Sequence, residues 1–479
     1  VPLPDADRLL DLDPARLRAF GRRLRDIGFD TALLAKLARA GERLDDVLRA
    51  PMRIWHARRM AEPGAIAGRL FMLHDAVSEE EAAAALGDLS PLLAAGLVEE
   101  AADGLVSRFK VGLCAGLLCF GDKLGQGPGA VLPLTGPTIE LVRAAMPRAS
   151  PVKSALDVGC GAGAVGLALA RAARRVVATD ILPRALAFVR FNAALNGIDN
   201  VEPRLGDALA PVAGERFDRI AVQPPFLACP SGQEASVFVH GGERGDELAV
   251  RVLAALPPYL AEGGRAVMLT EWPLADGDAV EARIRAALGE ACANVLLLQA
   301  PTKNLDEHCV QLAAAEHPTL DAAFTRDAIR HRDHLERLGV RGLALGLVVL
   351  EPSASTGWTS RLAVRHMHDV PIDAVALERV LAAHALAHAP DDVLARAKLC
   401  FPGGGQRVVQ EMPGGGSSWI VHPPPGRPEW PAVFTAEEGA VLSAIAHADR
   451  TAGTKTSASG REVLAVARKA LRCGALETG

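Results

Sequence analysis

The sequence predicts an α/β protein: a mostly parallel sheet with helices on both faces, preceded by a helical, winged-helix-like unit and followed by a small α+β unit. Three observations carry this. Between Ser154 and about Pro352, apolar runs at 154–158, 175–179, 218–222, 265–270, 294–299 and 344–350 alternate with helical patterns, the signature of a doubly wound sheet. The first run leads into a glycine-rich turn, Gly159-Cys160-Gly161-Ala162-Gly163, that opens a helix. Outside this stretch the texture changes. Leu and Ala recur at helical spacing up to about residue 75, and glycine clusters with Pro423-Pro424-Pro425 punctuate the chain beyond about residue 370. These shifts set boundaries at 1–125, 126–365 and 366–479, in keeping with about 150 residues per domain.

The elements follow in order. Ser78-Glu79-Glu80-Glu81 is a capping box that opens a short helix, and a second helix is expected over about 91–95. Gly96 to Glu100 and Leu105 to Phe109 then read as two strands meeting at Ala102-Asp103-Gly104. Helices followed by such a hairpin suggest a winged helix. Three glutamates occupy the helix where DNA would require Arg or Lys, so a scaffold for dimer contacts or for roofing an active site is preferred to DNA binding. A homodimer is one assembly this leaves open. A Gly/Pro-rich link, 125–137, separates this unit from the sheet, and helical patterns return at 436–448 and 460–472.

Composition bounds the function. Apolar residues make up 49% and charged residues 23%, with 57 acidic against 52 basic residues and a net charge of −5. That excludes an overall basic nucleic-acid binder, and nucleic acid is not an expected partner. Val111 to Phe120, the longest uncharged apolar stretch, is about half the length that spans a bilayer, so no membrane partner is expected. Cysteines 114, 119, 160, 229, 292, 309, 400 and 473 form no CxxC pair, which argues against a structural zinc or a disulfide scaffold. The opening Val-Pro-Leu-Pro-Asp lacks the blocks of a secretory signal. A cytoplasmic protein with reduced thiols is expected.

The chemistry concentrates around Leu156-Asp157-Val158-Gly159-Cys160-Gly161-Ala162-Gly163-Ala164-Val165-Gly166. Glycines Gly159, Gly161 and Gly163 let the backbone turn sharply and let a ligand approach it closely. Twenty-one residues after Gly159, the run Val176 to Thr179 ends in Asp180, which can accept both ribose hydroxyls of an adenosine. Gly159, Gly161 and Ala164 formally satisfy the dinucleotide fingerprint, but Asp157 opposes it: a carboxylate two residues before the first glycine repels a pyrophosphate and suits an ammonium. S-adenosylmethionine presents an α-amino group and a sulfonium, and no phosphate. After the third strand, Leu205-Gly206-Asp207-Ala208 places an acid where it can bind the exocyclic amine of adenine.

With these residues in view, about 130–275 resembles a class I S-adenosylmethionine-dependent methyltransferase. The subgroup it resembles carries an Asn-Pro-Pro-Tyr/Phe motif: the release-factor glutamine N5-methyltransferases and the related "small" ribosomal guanine-N2 methyltransferases. Val131-Leu132-Pro133 through Val142, Phe191-Asn192-Ala193-Ala194-Leu195-Asn196-Gly197 and Gly241-Gly242-Glu243-Arg244-Gly245 resemble further subgroup segments. The resemblance implies a Rossmann-like sheet and S-adenosyl-L-methionine as cofactor. It assigns the cofactor to Asp157, Gly159, Gly161, Gly163, Asp180, Ile181, Asp207, Ala208 and Gln223.

The fourth strand, Phe217 to Val222, ends in Gln223-Pro224-Pro225-Phe226. In the family, the first side-chain carbonyl and a backbone carbonyl of this motif accept hydrogen bonds from a planar NH2, and the aromatic ring stacks on the acceptor. Two prolines stiffen the loop, so these acceptors are preorganised. Here the family's Asn is Gln223, one methylene longer, about 1.5 Å by a C–C bond length. Of the nearby polar groups His240, Glu243, Asp246, Glu271 and Trp272, His240 has the side chain best suited to act as a base at neutral pH. His331-Arg332-Asp333-His334 and His366-Met367-His368-Asp369 are read as solvated faces or helix pairs, the second along a strand, and no metal is assigned. The sequence thus points to methyl transfer onto a nitrogen or oxygen of a small molecule or peptide, chosen because the motif is altered. The alternatives are a protein-glutamine or nucleobase-amine acceptor, and a DNA-binding regulator that senses S-adenosylmethionine.

Overall fold

The computed structural model describes residues 3–38, 49–123, 129–148, 151–230, 239–317, 321–411, 417–447 and 460–478. Residues 125–128 of the Gly/Pro link and the cluster 414–416 lie outside the described residues. Among the described residues the central sheet has eight strands. Its first four are β1 (Val152–Val158), β2 (Ala173–Asp180), β3 (Val201–Leu205) and β4 (Phe217–Val222). The rest are β5 (Leu260–Ala275), β6 (Ala293–Gln299), β7 (Val340–Pro352) and β8 (Thr359–Ala363). Their order is β8-β6-β7-β5-β4-β1-β2-β3. Only β7 runs antiparallel to its neighbours β5 and β6. All six apolar runs of the sequence fall in these strands because the sheet is buried on both faces. Ala155, Ala221, Val267 and Leu269 belong to one core cluster, and Leu156, Ile220, Ala266 and Met268 to the other.

Strand order reverses at β1, with β4 on one side and β2 on the other. Ligands of such sheets bind outside the carboxyl ends of the strands at this switch point. The glycine turn after β1 and Gln223 after β4 flank it.

The N-terminal unit does not stand apart. Leu9, Leu24, Phe71 and Phe109 share a core with Phe188, Phe191 and Leu195 of the helix Pro183–Asn196. Phe71 meets Phe120 edge-on at 5.3 Å, and Phe120 meets Phe191 at 5.6 Å. Such pairs contribute about 0.5–1.5 kcal/mol each beyond their burial. Within this unit, Ser78 and Glu81 form the expected capping box, and strands Val98–Ala101 and Gly104–Ser107 pair antiparallel. The turn itself is one residue earlier than Asp-Gly: Ala101 pairs with Gly104. Gly104 has a φ of +124° and runs so close to the Val77 carbonyl that a Cβ would collide with it.

Two features escaped the sequence. The apolar stretch 111–120 is a second hairpin, Lys110–Cys114 with Leu117–Gly121. Its outer edge is closed by carboxamides: Asn192 accepts from Phe120 N–H at 2.8 Å and donates to Phe120 O at 2.9 Å. Asn196 does the same for Leu118, at 3.0 and 2.7 Å. One turn apart on a helix, the two asparagines imitate a neighbouring strand. The second feature is β8, a short edge strand. At the C-terminal end, Leu377, Val380 and Leu381 of the helix Ala374–Ala387 join the core of the sheet. Ala383 and Ala387 of that helix join the core formed with Leu442, Ala470 and Leu471.

Candidate cofactor and acceptor site

Beyond β1 the chain turns back at once. Gly159 and Cys160 N–H both donate to Thr179 O at 2.9 Å, locking the turn to β2. Gly159, Gly161 and Gly163 have φ of +68°, +51° and +88°, left-handed values that disfavour a side chain. A Cβ on Gly159 would meet nothing within 4 Å, so this residue faces open space, whereas one on Gly163 would press on Val189.

Two carboxylates frame the turn. Asp157 is 2% exposed, and its Oδ2 accepts Gly166 N–H at 2.7 Å. Gly166 permits this approach, since a Cβ there would lie 3.0 Å from that oxygen. Burial pushes the Asp157 carboxyl up to about 7, with the Gly166 N–H opposing and Asp180 adding to the rise. At the end of β2, Asp180 accepts from Gly161 N–H and Leu182 N–H, each at 2.9 Å. Burial raises this carboxyl too, against the pull of those amides. Ile181 beside it is 54% exposed, a large apolar side chain facing solvent at the site.

The third acid is differently engaged. Asp207 is exposed and forms a two-point ion pair with Arg251, at 3.1 and 3.2 Å. Ala208 has a positive φ of +46°, rare outside glycine. Its carbonyl accepts from Thr179 Oγ1 at 2.9 Å, which holds the strained residue in place. Nothing in the sequence around Arg251 signalled this pairing.

On the acceptor side, Gln223 is half-buried and Pro224 buried, with Phe226 intermediate. Leu227 and Ala228 pair with His240 to Gly242, which brings His240 level with Leu227. The glycines of this loop have a steric cause. A Cβ on Gly241 would collide with the carbonyls of Gly245 and Pro225, and one on Gly245 would lie 2.7 Å from Phe226 O. The Gly-Gly loop therefore rests directly on the backbone of the Gln-Pro-Pro-Phe turn. Glu247 braces it by accepting from Arg244 N–H at 2.9 Å and Gly245 N–H at 3.0 Å. Arg244 continues to Pro273 O at 3.2 Å and Asp278 at 2.6 Å.

One histidine expectation needs correction and one needs relocation. His331 and His334 are each 2% exposed, so their helix, Ala322–Arg337, turns them inward rather than to solvent. His334 Nε2 lies 2.7 Å from Glu243 O, on the Gly-Gly loop. His366 and His368 are exposed as expected, but they follow the end of β8 in a turn, not along a strand.

The residues suit S-adenosylmethionine. Open space lies above Gly159, a fixed carboxylate stands at the end of β2 where a ribose would sit, and an exposed apolar side chain adjoins it. No lysine or arginine stands in the turn 157–166 to attract a phosphate. A matching family, Methyltransferase small domain, covers residues 139–274, and a domain of unknown function (DUF7059) covers 26–108. The release factor glutamine methyltransferase of Xylella fastidiosa is 35% identical over 127 residues, 24% of this chain and 46% of that protein. The chain thus spans about half the length of that relative. The release factor glutamine methyltransferase of Cereibacter sphaeroides is 33% identical over 257 residues, 51% of this chain and 91% of that protein. Among solved structures, the tRNA m1G37 methyltransferase of M. jannaschii is 14% identical over 52% of this chain and 61% of that chain, with a TM-score of 0.31. The match along nearly the whole Cereibacter protein places this chain in the class I S-adenosylmethionine-dependent methyltransferases, in the family of the release factor glutamine methyltransferases.

Proposed function

We propose that the protein methylates the side-chain amide of a protein glutamine, with S-adenosylmethionine as donor. The observation that carries this is the stiff Gln223-Pro224-Pro225-Phe226 turn, seated on the Gly-Gly loop beside the glycine turn of β1. The relatives are release factor glutamine methyltransferases, which supports a protein acceptor over the small molecule that the altered motif first suggested. A small-molecule or peptide acceptor stays the second reading because of Gln223. The DNA-binding regulator is disfavoured by the exposed Glu79 and Glu80 on the short N-terminal helix.

In this reading Asp180 takes the ribose hydroxyls, and Ile181, Asp207 and Ala208 hold the adenine, with Arg251 swinging aside from Asp207. Asp157 faces the ammonium through the oxygen that Gly166 does not occupy. The bound cofactor supplies an electrophilic methyl group on a sulfonium. Gln223 and the Pro224 carbonyl accept hydrogen bonds from the acceptor NH2, Phe226 stacks on its plane, and His240 lies among the contacts on that side.

The test is transfer of radiolabelled methyl groups from S-adenosylmethionine to a purified bacterial release factor, with the modified residue identified by mass spectrometry. Asp180→Ala is expected to weaken the cofactor more than tenfold, since a hydrogen bond to a charged acceptor contributes about 1.5–3 kcal/mol. No label on the release factor, with label on a small amine or peptide instead, would reverse the order of the two readings.

Asp157 gives the binding a pH dependence. Its carboxyl titrates near 7, and only the charged form attracts an ammonium. Affinity should therefore rise severalfold from pH 6 to about pH 7.5, below the range where an α-amino group loses its own proton, with proton release on binding. Because the folded pKa is raised, the buried charge costs stability above pH 7, and that cost fades as pH falls toward 4. Calorimetry against 5′-methylthioadenosine, which lacks the amino group, is the control. An equal pH dependence for both ligands would remove Asp157 from the ammonium site.

A further inference from the structure

Two helices, Leu305–Glu316 and Ala322–Arg337, are inserted between β6 and β7. They form a roof over the acceptor loops. Leu305, Cys309 and Leu335 pack in one cluster with Ala228, two residues beyond the Gln-Pro-Pro-Phe turn. His334 ties the second helix to the Gly-Gly loop. The roof therefore touches both acceptor-side loops.

Under it lies a polar group that the roles assigned so far leave idle. Glu271, 4% exposed, sits on β5. Met268 pairs with Val222 and Val267 with Ala221. β4 ends with the Met268–Val222 pair, so Gln223 leaves the sheet directly after Val222 while β5 runs on through Glu271. Glu271 has the same parity along β5 as Val267 and Leu269, which share one core cluster with Ala221 of β4, so it belongs to that face of the sheet. The carboxylate of Glu271 is held from two sides: Lys303 Nζ lies 3.3 Å from Oε1, and His308 Nδ1 lies 3.3 Å from Oε2. Lys303 is itself fixed to β7, through a reciprocal backbone pair with Leu343 at 2.7 and 3.2 Å.

We propose that Glu271 and His308 form a dyad that takes the proton released from the acceptor nitrogen, with Glu271 orienting the imidazole and the inserted helices delivering it. This rests on the methyl-transfer reading above. The acceptor nitrogen's electron pair forms the N–CH3 bond, and the S–C electron pair returns to sulfur, leaving a neutral thioether. The N–H electrons stay on nitrogen, and the proton passes to His308 Nε2 and then to solvent. With Nδ1 turned toward the carboxylate and protonated, Nε2 is left as the acceptor. Burial holds the His308 imidazole below its ordinary pKa, with Glu271 opposing and Lys303 and His331 adding to the fall. The base is therefore neutral at pH 7. An oriented base of this kind contributes about 10²–10⁴ in rate.

The test combines two measurements on the full chain: methyl transfer to a release factor as a function of pH, and 15N-imidazole resonances of His308. The parent rate should rise through an acid limb below pH 6.5 and then level off. His308→Gln should lower turnover at least a hundredfold and abolish the limb, with cofactor affinity unchanged. Glu271→Gln keeps the shape of the cluster. It should slow turnover and move the limb to lower pH, because the imidazolium loses its carboxylate. The resonances should report a fixed Nδ1–H tautomer at pH 7 that Glu271→Gln releases. Parent-like turnover in His308→Gln, or loss of the limb in His240→Gln instead, overturns the dyad. If the parent labels no release factor, the glutamine reading falls and the resonances decide the dyad alone. The locked tautomer upholds it, and rapid tautomer exchange removes it.

Discussion

Gly241→Ala is expected to lower methyl transfer at least a hundredfold while leaving cofactor affinity within about twofold of the parent. The cause is contact rather than conformation. Gly241 does not have a positive φ, and its added Cβ would collide with two carbonyl oxygens, those of Gly245 and Pro225. Both are backbone atoms, so no rotamer relieves the clash and one of the two loops must move. A displacement near 1 Å in the turn proposed to position the acceptor costs about a hundredfold. The glycine turn after β1 is a separate loop anchored to Thr179 and Asp180, and it is not disturbed. Gly403→Ala is the matched control, because a Cβ there meets nothing within 4 Å and its φ lies outside the left-handed range. Turnover, calorimetric affinity and melting temperature measured on both variants separate the cases. Parent-like turnover in Gly241→Ala would show that the contact between the loops is not what aligns the acceptor.

What the sequence revealed, and what it hid, follows from how each feature is encoded. The strands of the sheet were legible because burial on both faces writes them as unbroken apolar runs. Asp157, Asp180 and Gln223 stand out as candidates because each lies at or next to the end of such a run, where chemistry belongs in this architecture. The same continuity concealed the hairpin at 110–121. With both sides covered it shows no alternation, and its closing partners are asparagines more than 70 residues away. His331 and His334 misled for the opposite reason. A helix rich in arginine reads as a solvated face, yet it buries both histidines and sets His334 against the Gly-Gly loop. Pairs such as Asp207 with Arg251 and Glu271 with His308, 44 and 37 residues apart, carry no local pattern at all. Only the topology brings them together.

Gln223→Ala is expected to lower turnover by roughly a hundredfold or more, given what misalignment of the acceptor costs. Cofactor affinity should change little, because Asp180, Asp207 and the glycine turn hold the adenosine in the proposed site. The half-buried carboxamide forms no hydrogen bond among the described residues, so removing it strands no partner among them. A loss of turnover would therefore report on the acceptor rather than on the fold. Gln223→Asn tests the geometry separately. It keeps the carboxamide and withdraws it by one methylene, about 1.5 Å. A site built around Gln should lose activity with Asn even though Asn is the residue of the subgroup it resembles. If the Ala and Asn variants both turn over like the parent, Gln223 is structural, and His240 or the Glu271–His308 pair must direct the transfer. If Ala loses cofactor affinity along with turnover, the side chain belongs to the adenosine pocket. Because the Gln-Pro-Pro-Phe turn is stiffened by two prolines and seated on the Gly-Gly loop, the backbone cannot follow a shortened side chain. Asn should therefore fall closer to Ala than to the parent.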